Sequence, residues 1–348
     1  MDSPGARHEE HDRSLGQALN RRPSRLRVTV IAVSLAVGAL LMGVKFWAWA
    51  LTGSAAILSD ALESIINVVA AGFALATVLG ASRPPDRDHP YGHGKLEYFS
   101  AGFEGSLIIL AAVAIVYEAA GDILTPRPLP DLGLGTLVVA GAGAVNLGLG
   151  LLLVWAGRRT GSLAVTADGK HVLTDVITSV GVVAGLVVVR LTGWLWLDGV
   201  VACLVAVNIL FMGVGIVRQA FAGLMDSTDP ELLERICKAL SSHRRPAWID
   251  VHRLRARQAG PVVLLDFHLI LPRDLSFREV HDELELAEDV IRDEFEGLAD
   301  VLIHADPCTE ESCTECDRDA CDWRSADCEA KRLWNGDAAT DGVDETGE

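Results

Sequence analysis

The sequence predicts an α-helical membrane protein with six transmembrane helices and a C-terminal cytoplasmic α+β domain. Three observations carry this. Half of the 348 residues are hydrophobic although 22% are charged, so the charge must be segregated along the chain. The stretch from Val28 to Ile216 is mostly apolar, and the two ends hold most of the Asp, Glu, Arg and Lys. After Arg218 the pattern changes to short amphipathic elements.

Crossing a bilayer takes about 20 apolar residues. Runs of that order recur at residues 28–50, 55–81, 101–121, 132–157, 162–192 and 196–217. The fourth carries no charge between Leu132 and Gly157, whereas the second and fifth carry carboxylates well inside their ends. An ionisable group at membrane depth is costly and marks a functional site. Arg21, Arg22, Arg25 and Arg27 precede the first run; Arg83, Arg87 and Lys95 separate the second from the third; Arg158 and Arg159 separate the fourth from the fifth. Apart from Arg127 the alternate loops are nearly free of basic residues, so both termini are expected in the cytoplasm. Residues 1–27 read as a polar cytoplasmic leader without a cleavable signal. The net charge of −17 and the lack of a basic domain argue against nucleic-acid binding.

The six-helix domain is expected over residues 28–219 and the α+β domain over 227–308. "TDPELLERICKALSSH" has helical periodicity with Thr228 or Asp229 as N-cap. "WIDVHRLRARQAG" and "VVLLDFHLILP" read as strands joined at Gly260-Pro261. Ser276, with Glu279 three residues on, opens a second helix with capping-box spacing, and "ADVLIHADPC" closes as a third strand. The order, αββαβ, suggests a small sandwich. The acidic tail, 309–348, is poor in large aliphatics and is expected to be mostly disordered.

In the fifth run His171 and Asp175 are four apart and share a helix face, half of a site for a divalent transition metal. Such a pair can also simply satisfy itself within a bundle. In the second run Glu63 and Asn67 are likewise four apart, with Asp60 a turn earlier on roughly the same side. The two runs cross in opposite directions, and both pairs lie roughly 12–20 Å from the start of their run at about 1.5 Å per residue. All four side chains can therefore meet near mid-membrane. Mixed nitrogen and oxygen donors suit Zn²⁺ and its neighbours better than Mg²⁺ or Ca²⁺. Without metal, clustered carboxylates favour protonation, so metal and protons compete, as an exchanger requires.

Asp86, His89 and His93 lie in the connection after the second run, with Gly92 and Gly94 permitting a tight turn. They read as a second metal site or, equally, as a polar loop whose histidines cap helix ends. His252, His268, His281, His304 and Asp306 are five ligand-type residues spread over the α+β domain. In the tail, Cys308, Cys313, Cys316, Cys321 and Cys328 fall within 21 residues. Cys313, Cys316 and Cys321 are candidate thiolate ligands; an iron–sulfur cluster and an unliganded tail stay open. Cys203 and Cys237 read as packing residues.

"HPYGHGKLE" at 89–97, "ADGKHVLTD" at 167–175, the six-span topology and "VLIHADPC" together resemble the cation diffusion facilitator family over roughly residues 25–308. The resemblance implies a homodimer in the cell membrane that exports Zn²⁺, Fe²⁺, Mn²⁺, Co²⁺ or Cd²⁺ in exchange for protons by alternating access, with Zn²⁺ and Fe²⁺ the first candidates. It implies a metallochaperone-like C-terminal domain in which bound metal, acting as a regulatory ligand, tightens the dimer. By position the transport site is Glu63, Asn67, His171 and Asp175; the loop site is Asp86, His89 and His93; the domain site draws on His252, His268, His281, His304 and Asp306. The chain departs from the family at Glu63 and Asn67, where the family has Asp or His followed by Asp. A neutral carboxamide at 67 removes one negative charge and is expected to alter metal preference and proton stoichiometry. No phosphate loop and no nucleophile with a partner base is seen, so neither ATP coupling nor enzymatic catalysis is expected. The competing class is a non-transporting membrane metal sensor or partner subunit of another transporter.

Overall fold

The computed structural model describes residues 22–52, 55–124, 134–194, 196–316, 318 and 321–340. They form two compact units that divide at Met225/Asp226, and each is taken by itself. Residues 1–21 of the leader lie outside the described residues, and helix already runs through 22–27, its last stretch.

The membrane unit consists of α1 (Arg22–Thr52), α2 (Ala55–Ala81), α3 (Leu96–Leu124), α4 (Leu134–Thr160), α5 (Leu163–Thr192) and α6 (Trp196–Leu224). Among the described residues, all of these helices except α5 are long and apolar enough to span a bilayer by composition. α5 carries Asp168, Lys170, His171 and Asp175 in its first half, and its sequence is strongly apolar beyond them. Large apolar side chains such as Leu40, Trp47, Phe99, Leu110 and Phe211 point outward, as a lipid-facing surface requires.

Helices in lipid gain nothing from burying one apolar face against another, so close approach decides which of them pair. A Cβ on Gly105 of α3 would lie 3.2 Å from the carbonyl oxygen of Gly213 on α6, and one on Gly213 would lie 3.1 Å from that of Gly105. α4 and α5 meet in the same manner: a Cβ on Gly157 would fall 2.3 Å from Thr166 Oγ1, and one on Gly169 2.7 Å from the backbone nitrogen of Val154.

A buried ion pair ties three helix ends together. Arg27 Nη1 of α1 donates to Glu97 Oε1 at the start of α3 over 2.6 Å, and both side chains are 1% exposed. Ser162, which precedes α5 and caps it by accepting from the Val165 N–H, donates its hydroxyl to Glu97 Oε2 at 2.5 Å. Glu97 also stands in the first turn of its helix, where the macrodipole favours a carboxylate.

The C-terminal unit contains α7 (Pro230–Ser242), β1 (Asp250–Ala259), β2 (Val262–Leu271), α8 (Phe277–Glu294) and β3 (Ala299–Pro307). Asp229, one of the two expected caps, opens α7 by accepting from the Glu231 N–H, and the Ser276/Glu279 capping box opens α8. The sheet order is β1-β2-β3, with β1/β2 antiparallel and β2/β3 parallel. Gly260, φ +61°, takes the first of the two hairpin positions, where a type II′ turn places glycine, and Pro261 fills the second. The parallel pair needs a crossover, which α8 supplies. Alternate residues Val263, Leu265, Phe267, Leu269 and Leu271 enter the core with Trp248, Leu254, Ile236, Leu240 and Ile291, leaving Asp266 and His268 on the opposite face. Cys237 lies in this core, as a packing residue should, and burial pushes its thiol up to about 11.

The tail departs from the expected disorder. A 3₁₀ turn (Glu311–Glu315) follows β3, and a short α9 (Gly336–Thr340) returns to the domain. Trp334 enters the core; its Nε1 donates to Asp250 Oδ1 at 3.1 Å while Arg332 Nη1 donates to Asp250 Oδ2 at 3.0 Å. The Arg244 guanidinium stacks 4.1 Å from the Trp334 ring and donates to the Arg332 carbonyl at 2.6 Å. One large aromatic and one buried carboxylate hold a segment whose average composition favours solvent. Trp334→Ala is expected to destabilise this unit by about 3–5 kcal/mol and to open residues 309–340 to protease, checked by denaturant unfolding and limited proteolysis of the purified chain.

Candidate metal centres

Helices α2 and α5 bring three of the four expected transport ligands together. Asn67 Nδ2 donates to Asp175 Oδ2 at 2.6 Å, and Asn67 Oδ1 lies 2.9 Å from His171 Nε2. An amide oxygen only accepts, so the proton on that bond belongs to Nε2. The carboxamide thus spans imidazole and carboxylate with both ends of its dipole, which an aspartate there could not do without protonation. The side chain of Glu63, the fourth, lies outside the described residues, as does that of Asp60.

These three residues face a cavity of about 30 Å³ that Lys45, Asn146 and Asp168 also line, room for an ion and a water. Lys45 and Asp168 had no role in the sequence reading. Lys45 donates to Ser64 at 2.9 Å, and Asp168 is hydrogen-bonded by Ser34. Glu104 of α3 was also missed. It is 0% exposed, interacts electrostatically with Asp168, and neither of its carboxylate oxygens has a hydrogen-bond partner among the described residues. The only signal for it was a glutamate inside the third apolar run, which also holds Glu118. Glu97 stood in the quoted "HGKLE" without an assigned role.

Asp86, His89 and His93 converge in the α2–α3 connection. Asp86 Oδ1 accepts from the His89 N–H at 2.7 Å and lies 3.2 Å from His89 Nδ1, while Oδ2 lies 3.4 Å from His93 Nε2. The His89 N–H holds the Asp86 carboxyl below its ordinary range. Gly92, φ +81°, makes the turn that brings the two imidazole centroids to 4.4 Å, with the rings tilted by 43°.

In the C-terminal unit the sheet register sets His252 opposite His268 and His268 beside His304, a row across three strands. Asp306 stands two residues beyond His304 on the same face. Its carboxylate lies 2.8 Å from His268 Nδ1, 3.5 Å from His252 Nε2 and 3.3 Å from His304 Nε2. His252, His268 and Asp306 bring ligand atoms within 4.8 Å of one another, as do Asp86, His89 and His93. His281 does not join this row; on α8 it pairs with Glu285 at 3.3 Å. Burial, and secondarily the neighbouring His268, hold the His252 imidazole below its ordinary range, so it presents a neutral ring to a metal at neutral pH.

Six membrane helices with a polar cavity between α2 and α5, joined to an α+β domain bearing a histidine row, define a polytopic membrane protein. Residues 31–225 match the cation efflux transmembrane domain, and residues 228–308 match the cation efflux protein cytoplasmic domain, a dimerisation module by its model's name. An uncharacterized transporter of Synechocystis is 39% identical over 276 residues, 78% of this chain and 88% of that protein. The cation-efflux pump FieF of Shewanella oneidensis is 33% identical over 81% of this chain and 94% of its own length; the FieF of Escherichia coli K12 is 30% identical over 84% and 96%. The chain belongs to the cation efflux, or cation diffusion facilitator, family, a family of transporters rather than enzymes.

Glu97→Ala is expected to cost about 3–5 kcal/mol, because it strands the Arg27 guanidinium in the bundle. Adding Arg27→Met should recover most of this, read as the melting temperature of the detergent-solubilised chain. For His252 the sign follows from its lowered folded-state value: the unfolded chain binds the proton more readily. Stability of the metal-free C-terminal unit should therefore fall as pH drops through about 6.5 toward the lower folded value. A melt less dependent on pH in His252→Gln checks this.

Proposed function

We propose that the chain is a homodimeric exporter of a divalent transition metal, Zn²⁺ or Fe²⁺ first, that exchanges its cargo for protons by alternating access. In this reading it lies in the cell membrane with both termini in the cytoplasm. The observation that carries it is the meeting of Asn67, His171 and Asp175 at one cavity inside the helix bundle. The names of the FieF relatives, cation-efflux pumps, support the direction of transport.

Glu63, Asn67, His171 and Asp175 hold the cargo. Metal entry breaks the bond from Asn67 Nδ2 to Asp175, turns the carboxamide so that Oδ1 faces the ion, and moves the His171 proton to Nδ1 so that Nε2 coordinates. Two carboxylates then balance the dication. After release the carboxylates take up protons, and the Asn67 bridge re-forms; Asp168 at the cavity wall and Glu104 beside it supply further proton acceptors. Asp86, His89 and His93 form a second metal site on the α2–α3 connection. His252, His268 and Asp306, with His304 alongside, bind metal as a regulatory ligand.

Asp175→Ala should abolish metal-driven proton flux in proteoliposomes, a loss greater than the roughly 10–100-fold typical of removing an outer-shell partner, with the fold intact. Asn67→Asp should change the order of preference among Zn²⁺, Fe²⁺, Mn²⁺, Co²⁺ and Cd²⁺. Flux unaffected by Asp175→Ala would refute the site. No flux with any of these ions, while the C-terminal unit still binds metal, would favour a metal sensor or partner subunit.

A further inference from the structure

Residues 308–328 hold five cysteines that neither the transport site nor the histidine row uses. The segment is folded by polar contacts. Arg324 donates to the carbonyl oxygens of Cys316 at 3.1 Å, Arg318 at 2.6 Å and Ala326 at 3.2 Å, and Arg273 Nε donates to that of Cys308 at 3.1 Å. The Glu329 N–H reaches back to the Thr314 carbonyl at 2.8 Å. Its one large apolar side chain, Trp323, is 59% exposed, so apolar burial does not hold this stretch together. Segments of this kind are held by disulfides or by a metal. All five cysteines are free thiols.

Four of the five, Cys308, Cys313, Cys316 and Cys321, line one cavity of about 10 Å³, room for a single water-sized occupant. Arg273 and Arg324 share its wall, and Cys328 does not. We propose that these four cysteines form a tetrathiolate site for one soft divalent ion of the Zn²⁺/Cd²⁺ class, separate from the transport pathway. Soft sulfur donors select such ions over the hard cations that oxygen ligands prefer, and Cys313-x-x-Cys316 is the two-residue bite that structural zinc sites use.

Binding balances as four thiols plus M²⁺ giving an M(SR)₄ dianion and four protons, and the Arg273 and Arg324 guanidiniums offset that double negative charge. The Ser325 hydroxyl and the Ser325 and Ala326 backbone hydrogen-bond the Cys313 sulfur and hold it in place at the cavity. The ligand atoms of the two histidine–carboxylate clusters already converge within 4.8 Å, whereas the thiols surround their cavity and are drawn inward by the ion. Closure staples the strand-following loop to the residues that lead to Trp334.

The test uses the full-length purified chain, reduced and stripped of metal, titrated with Co²⁺. A thiolate-to-cobalt charge-transfer band should grow to one equivalent per chain and be displaced by Zn²⁺. It should be lost in Cys313→Ser and Cys316→Ser and kept in Cys328→Ser; a His252→Ala/His268→Ala variant should keep it too, because imidazole gives no such band. Maleimide labelling of the unmutated chain needs no variant: with Zn²⁺ bound, Cys328 should react while Cys308, Cys313, Cys316 and Cys321 are protected. No charge-transfer band, a band indifferent to Cys313 and Cys316, equal labelling of all five thiols, or iron with inorganic sulfide in the purified chain would each overturn the proposal.

Discussion

Inside a bilayer a polar group has no water to turn to, and that constraint organises the membrane domain. Its clearest expression is the carboxamide of Asn67, which satisfies His171 with one end and Asp175 with the other. Removing either neighbour leaves a buried donor or acceptor without a mate. The same need explains the Arg27–Glu97–Ser162 cluster, which fastens the starts of α1, α3 and α5 by charge where apolar contact between helices contributes little. Glycine contacts at α3/α6 and α4/α5 supply the remaining specificity through close approach.

Asparagine at position 67 gives this cavity a different resting state from one built with aspartate. Two facing carboxylates would repel and call for protons or metal, whereas a carboxamide offers a hydrogen-bonded arrangement that is complete by itself. In the proposed exchange a cargo ion would compete with a formed hydrogen bond as well as with protons, which would link this one residue to both selectivity and coupling. The C-terminal unit meets the same chemistry under wetter conditions: its histidine row is set by strand register rather than by helix period, and Asp306 is the common acceptor.

Much of this was legible in the sequence because the signals were local. Spacing of four on a helix placed His171 and Asp175 on one face, and Ser276 with Glu279 marked the start of α8. Glycines flanking His93 marked a turn that draws Asp86, His89 and His93 together. What escaped was non-local. Nothing in composition tells which arginine of the leader meets Glu97, seventy residues away in the chain. His281, read on the helix and counted with the strand histidines as a ligand, pairs with Glu285 outside the cross-strand row. The tail looked disordered because average hydropathy hides a single tryptophan that meets Asp250 in the core. Glu104 and Lys45 gave only the weak signal of isolated charges in apolar runs.

The central claim is that metal replaces the amide bridge between α2 and α5. A structure of the Zn²⁺-loaded chain in lipid, with the zinc located by its anomalous signal, tests it directly. The expected result is a zinc ion within coordination distance of Asn67 Oδ1, His171 Nε2 and an Asp175 oxygen, with the Asn67–Asp175 hydrogen bond broken. Zinc found only at the histidine clusters or the cysteines, with Asn67 still donating to Asp175, would contradict it.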